Sequence, residues 1–305
     1  MMKMRMNTLT GFVAALSLTA LAAPSRAEIK VVATLPELAC ITEAVGGKEV
    51  SVYAIAKPNR DYHTIEPRPS DVSRTAGAKL LVRTGMGLDS WMNALANATG
   101  DRKLMAGGSA VVDCSAGVRR IDVPTQSLSG ASGDVHVDGN PHFFYDPIYG
   151  KFAARNILRG LIRVDGGNAA YYRRNYVMFN AEIDRRMAGW KRDLAPFAGR
   201  PVVTYHENYA YFIKRFGLRE YGHLEPKPGL PPSAGHINSL IGNMKRDGVK
   251  AVVIESIYPT RYADFMKRQA GIKYVVAPYS AGSISGVGYI NFIDRLVDSF
   301  RKALD

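Results

Sequence analysis

Short β-branched runs alternate with longer amphipathic stretches along almost the whole chain, and this rhythm limits the possible folds more than any other feature. IKVVATL (29–35), VSVYAIA (50–56), KLLVRTG (79–85) and SAVVDCSAG (109–117) read as strands. Between them PELACITEAVGG, which ends in two glycines, and PSDVSRTAGA read as helices. The rhythm resumes after residue 200, with strands at RPVVTYH (200–206), VKAVVIES (249–256) and IKYVVAP (272–278). SAGHINSLIGNMKRDG (233–248), YADFMKRQAG and GYINFIDRLVDSFRKAL supply the helices of this half. Strand–helix–strand repetition implies a mostly parallel sheet with helices on its faces. The expected fold class is therefore α/β, as two lobes that each hold a small, mainly parallel sheet.

Between the two runs lies a stretch of a different kind. From Asn168 to Ala195 the apolar residues Tyr171, Tyr172, Val177, Met178, Ile183, Met187 and Trp190 fall at helical spacing, with no Gly or Pro before Gly189. A helix of that length covers roughly 40 Å, too long for an ordinary crossover, and is expected to be a rigid connector between the lobes. The predicted organisation is a first lobe at 28–165, a linking helix at 166–198 and a second lobe at 199–305. A chain of this size is expected to form two cores. SLSGASGDVHVDGN (127–140) reads as an exposed loop, and GMGLDSW after the third strand is a turn, since it lacks the third glycine of a nucleotide fingerprint.

Residues 1–27 have the layout of a cleaved export signal: Lys3 and Arg5, an apolar run from Leu9 to Ala23, then Ser25-Arg26-Ala27. The apolar run falls short of the roughly 20 residues that cross a bilayer, and no Cys near the cut offers a lipid attachment site. The leader holds three basic residues and no acidic one, so of the formal +13 about +10 belongs to the mature chain. These charges are scattered through helices, which marks a solvated surface, and an exported protein has no nucleic acid partner. Cys40 and Cys114 are too few for a disulfide scaffold, and whether they pair is left open.

The chemistry lies in the histidines. VTYHENYAYF opens like the His-Glu-x-x-His motif of zinc hydrolases, but Ala210 stands where the second His belongs. Three of the six histidines, His63, His142 and His206, fall near the C-terminal ends of predicted strands or at the start of a helix. Ligands of open α/β sheets bind at that rim, and imidazole is a common zinc ligand in tetrahedral sites. Separations of 79 and 64 residues mean that only the fold could assemble such a site, with two ligands from the first lobe and one from the second. Metal there would draw the lobes together. His136 reads as a solvated loop residue, and His223 and His236 as structural.

At these residues the sequence resembles the periplasmic metal-binding proteins of ABC-type zinc and manganese uptake systems, the cluster A-I solute-binding proteins. RDYHTIEPRPSDV resembles that family's Asp-Pro-His-x-x-Glu-Pro-x-Pro-x-Asp segment, with Tyr62 in place of Pro. GNPHFFYDP resembles Asp-Pro-His-x-Trp-x-Asp-Pro, with Asn140 and Phe144 replacing Asp and Trp, and VVTYHENYAYFIKRFGL matches the third ligand segment. The resemblance spans the mature chain. It implies a periplasmic receptor, not an enzyme, that holds Zn²⁺ through His63, His142 and His206 and delivers it to an inner-membrane ABC permease. A periplasmic zinc metallochaperone is a further implied partner, and the receptor is expected to be a monomer.

His at the third position points to zinc, whereas manganese binders of the family carry more carboxylates, in line with the hardness of the donors. Many members take a fourth ligand from an Asp after the last strand, but VVAPYSAGSISGVG has no carboxylate. The fourth position is expected to hold water or Glu255, with His136, Asp134 or Asp138 of the loop as further candidates. The alternatives are a manganese receptor of the same family and a zinc hydrolase with an open three-His site.

Overall fold

A computed structural model describes residues 27–125, 134–283 and 288–305. Except for Ala27, the predicted leader lies outside the described residues, as does most of the Gly/Ser-rich part of the 127–140 loop. Two four-stranded sheets organise the rest. The first holds β1 (Ile29–Ala33), β2 (Val50–Ala54), β3 (Leu80–Arg83) and β4 (Val111–Asp113) in the order β2-β1-β3-β4, every pairing parallel. The second repeats that arrangement with β5 (Pro201–Thr204), β6 (Arg219–His223), β7 (Ala251–Glu255) and β8 (Lys273–Ala277) in the order β6-β5-β7-β8. In each sheet the strand order reverses beside the first strand, which makes the rim at its carboxyl end the place for a ligand.

Strand β6 has no counterpart in the sequence reading. REYGH is charged, contains a glycine and forms the sheet edge, so it carries no apolar run. In the first lobe the helices are α1 (Pro36–Gly46), α2 (Pro69–Ala76), α3 (Met92–Ala98) and α4 (Pro147–Val164). Pro147 at the first turn and the Asp146 carboxylate, which accepts from the Ile148 N–H, start α4. Then comes the expected long helix, α5 (Ala169–Leu194), of 26 residues. The second lobe adds α6 (Ala210–Arg215), α7 (Ala234–Arg246), α8 (Arg261–Ala270) and α9 (Tyr289–Leu304).

Helix α5 touches both halves. Near its start Asn175 Nδ2 donates to the Val45 carbonyl at the end of α1, and near its end Trp190 Nε1 donates to Asp294 of α9. Its buried stripe is Tyr172, Phe179, Ile183, Met187, Trp190 and Leu194. Val177 and Met178, which the helical spacing placed among the apolar set, are instead 62% and 63% exposed.

The expectation of two separate cores does not hold. One apolar cluster runs from Val31, Leu38 and Leu80 of the first lobe through α5 to Val202, Phe212 and Phe300 of the second. Smaller clusters cover only the outer faces, Val32, Leu81 and Met92 in one lobe and Val203, Val252 and Met266 in the other. Polar links also cross the lobes: the Tyr62 N–H donates to Tyr279 Oη, and the Tyr145 hydroxyl to the Tyr279 carbonyl. Cys40 and Cys114 are not joined by a disulfide.

Candidate metal centre

His63 lies in a single 3₁₀ turn, Tyr62–Thr64, after β2. The Asp61 carboxylate starts this turn: its Oδ1 accepts from both the His63 N–H (3.0 Å) and His63 Nδ1 (2.9 Å). A carboxylate only accepts, so the proton sits on Nδ1 and the lone pair of Nε2 faces inward. Burial works to raise the Asp61 carboxyl, and the hydrogen bond and charge of His63 more than offset it, leaving Asp61 below its usual range.

Asn140 repeats the device for His142. Its Oδ1 accepts from the His142 N–H and from His142 Nδ1, both at 3.0 Å. The amide orientation is fixed because its Nδ2 donates to the Glu207 carbonyl, which can only accept. An Asn in place of the family's Asp therefore still orients the ring, without adding charge. Glu207 belongs to the segment after β5, and the Tyr211 hydroxyl of α6 donates to the Asn140 carbonyl, so the support of this ring spans the lobes.

His206 stands two residues past the end of β5. Its Nδ1 lies 2.8 Å from Glu225 Oε2. Beyond β6 the ladder continues, with the Leu224 and Glu225 N–H groups donating to the Thr204 and Tyr205 carbonyls, and this sets Glu225 beside His206. The sequence reading missed Glu225, which lies after a strand it also missed and carries no local motif.

The three rings converge. His63, His142 and His206 offer ligand atoms that all lie within 4.8 Å of one another, and their ring centroids are 5.1–5.3 Å apart. All three Nε2 atoms are buried without a hydrogen-bond partner among the described residues. Burial first, then the neighbouring imidazoles, hold His142 and His206 well below the ordinary histidine range, so both are neutral donors at neutral pH. Orphaned, neutral, aligned nitrogens on ordered partners fit a divalent cation.

The other candidates fall into place around this trio. Glu255 ends β7 and is fully buried, and its Oε1 accepts from Asn208 Nδ2 at 3.1 Å. Burial raises its carboxyl to about 8. It is not part of the group within 4.8 Å. His136 departs from the solvated loop residue expected of it: its ring stands 5.3 Å from that of His63, and its Nε2 is buried and unpartnered. Burial, then the charges of His63 and His206, push it down to about 4. Asp138 pairs with Arg120 instead, at 2.5 Å. His223 Nδ1 bonds Thr204 Oγ1, and His236 Nε2 donates to the His223 carbonyl at 3.0 Å, both as structural groups. A cleft of about 450 Å³, lined by Val135, His206, Glu207, His223 and Glu225, opens to solvent beside the cluster.

The sequence profile of the family described as "Zinc-uptake complex component A periplasmic" (ZnuA) matches residues 31–303. The chain belongs to this family. The ZnuA family consists of metal-binding substrate-binding proteins of ABC transporters that work outside the cytoplasm, and the chain is one of them. It is 26% identical to the iron-binding protein YfeA of Yersinia pestis, over 97% of this chain and 94% of that protein. To the manganese ABC transporter substrate-binding lipoprotein PsaA of Streptococcus anginosus it is also 26% identical, over 77% of this chain and 74% of that one. A crystal structure of ZnuA superimposes with a TM-score of 0.77 at 22% identity, covering 91% of this chain and all of that one, which shows the shared fold.

Proposed function

We propose that the protein captures Zn²⁺ outside the cytoplasm, holds it through the Nε2 atoms of His63, His142 and His206, and passes it to a membrane ABC permease. The observation that carries this reading is the convergence of three buried, unpartnered imidazole nitrogens within 4.8 Å. Neutral imidazoles suit zinc, whereas manganese favours carboxylate oxygen, and the trio contains none. The names of YfeA and PsaA attach iron and manganese to those relatives, so the donor set of this chain carries the choice of metal.

In this reading residues 1–27 are removed on export to the periplasm, a lobe at 28–165 supplies two ligands, and a lobe at 199–305 supplies the third across the 166–198 connector. A permease in the inner membrane is the recipient, a zinc metallochaperone an upstream donor, and the receptor works as a monomer. The test is metal content of the purified protein with competitive titration of Zn²⁺ against Mn²⁺. One tightly held zinc, lost in His63→Ala, His142→Ala and His206→Ala, is expected. A manganese preference, or three variants that still hold zinc tightly, would refute the reading.

A further inference from the structure

Three imidazoles leave one corner of a tetrahedral zinc shell unfilled. We infer that His136 fills it, closing on the metal from the 134–140 segment to give a four-imidazole site. This rests on the zinc-receptor reading and names a donor beyond its trio.

The ring of His136 lies 5.3 Å from that of His63, the same spacing as within the trio. Its Nε2 is buried and has no hydrogen-bond partner among the described residues, the condition shared by the three other Nε2 atoms. Its Nδ1 faces the turn after β3: a Cβ on Gly87, whose φ is +81°, would come within 3.3 Å of that nitrogen. The absence of a side chain at Gly87 therefore leaves room for the ring to turn its other nitrogen toward the trio. Among the described residues only the trio has donor atoms mutually within 4.8 Å, so His136 has an inward step to make when the cation arrives.

The segment that carries His136 is already tied to the opposite lobe. The Asp134 N–H donates to the Pro228 carbonyl at 3.0 Å, and the Asp134 carboxylate lies so close to Gly229 that a Cβ there would collide with it. Gly229 in turn donates its N–H to Glu225 Oε2, the atom that holds His206. At the other end Asn140 orients His142. The strap thus runs between the supports of two trio ligands; of its two acids, Asp138 is paired with Arg120, and the Asp134 carboxylate packs against Gly229, where its charge acts on His206 and Glu225. His136 is the donor this strap delivers. A shell of four neutral nitrogens would favour zinc over manganese more strongly than three nitrogens and a carboxylate.

The experiment compares wild type, His136→Ala and His142→Ala, each loaded with Co²⁺ as a spectroscopic stand-in and titrated with Zn²⁺ against a chelator. Wild type is expected to give an intense tetrahedral Co²⁺ spectrum that added azide does not alter. His136→Ala should bind zinc about a hundredfold more weakly, at or beyond the upper end of the 10–100-fold typical of losing a ligand's supporting partner. Its Co²⁺ spectrum should respond to azide, because a donor position has opened, while its metal-free unfolding midpoint stays that of wild type. If His136→Ala keeps the wild-type affinity and spectrum while His142→Ala loses metal, His136 is not a ligand, the fourth position belongs to water or Glu255, and the receptor reading stands. If wild type takes up neither metal, both readings fall.

Discussion

Nδ1 of His206 lies 2.8 Å from Oε2 of Glu225, and the pair is brought together by parallel pairing of β5 with β6 and its extension past His223. Burial raises the Glu225 carboxyl to about 7, and burial likewise lowers His206. The bond fixes the ring and leaves Nε2 as the donor. Glu225→Gln keeps an acceptor but removes the carboxylate that strengthens the ring as a donor. Zinc affinity measured by chelator competition is expected to fall by about 10–100-fold. An unchanged affinity would mean that the carboxylate does nothing for the metal.

Acid should weaken zinc binding, but later than free imidazole would. An unperturbed histidine titrates near 6.5, whereas His142 and His206 sit well below that value and His136 near 4. These rings are already neutral at pH 7 and have no proton to surrender there. Affinity is expected to stay nearly level from pH 8 to about 6 and to fall below that as protons begin to compete. A steep loss already between pH 8 and 7 would show that the buried rings are not neutral.

Glu255 should give the metal-free fold a pH dependence of opposite sense. Its carboxyl titrates near 4.5 when unfolded and about 8 when folded, so between those values the folded chain holds a proton that the unfolded chain has lost. The stabilisation from keeping that proton is complete below about pH 4.5 and disappears as pH rises through about 8. Glu255→Gln removes this group. Urea unfolding of metal-free protein should show wild type losing on the order of a few kcal/mol relative to the variant between pH 5 and pH 9. Parallel pH curves for the two would contradict the assignment.

Glu37 of α1 fastens the lobes. Its carboxylate oxygens accept from the Tyr62 hydroxyl (3.1 and 2.9 Å), and Oε1 also accepts from the Ala281 N–H (2.9 Å) past the end of β8. Glu37→Ala leaves both buried donors unpaired, at about 1–3 kcal/mol for each. Glu37→Gln keeps one acceptor and should cost less. Unfolding midpoints of the two metal-free variants against wild type test this, and midpoints equal to that of wild type would show that the contact contributes no stability.

Much of the fold was legible because its signals are local. Strand and helix periods repeat every 2 and 3.6 residues, and the parallel α/β class follows from their order. Their limits are equally physical. Charge and a glycine hid β6 at the sheet edge, and helical spacing alone could not say which side of α5 faces the core, so Val177 and Met178 were grouped with residues that are buried. The shared core joining the lobes arises from contacts between residues far apart in the chain, which no local period encodes.

The site divides in the same way. Its three central histidines could be named from the sequence, because strand ends and flanking motifs mark them where they stand. Asp61 and Asn140 also sit in those motifs, two residues before the rings that they hold. Glu225 and the buried Nε2 of His136 could not be placed, since each acquires its surroundings through a ladder or a strap that crosses between chain segments. By itself the sequence determined which side chains could bind a metal. Only the tertiary structure decided which nitrogen of each ring is presented, because that depends on what the other nitrogen meets.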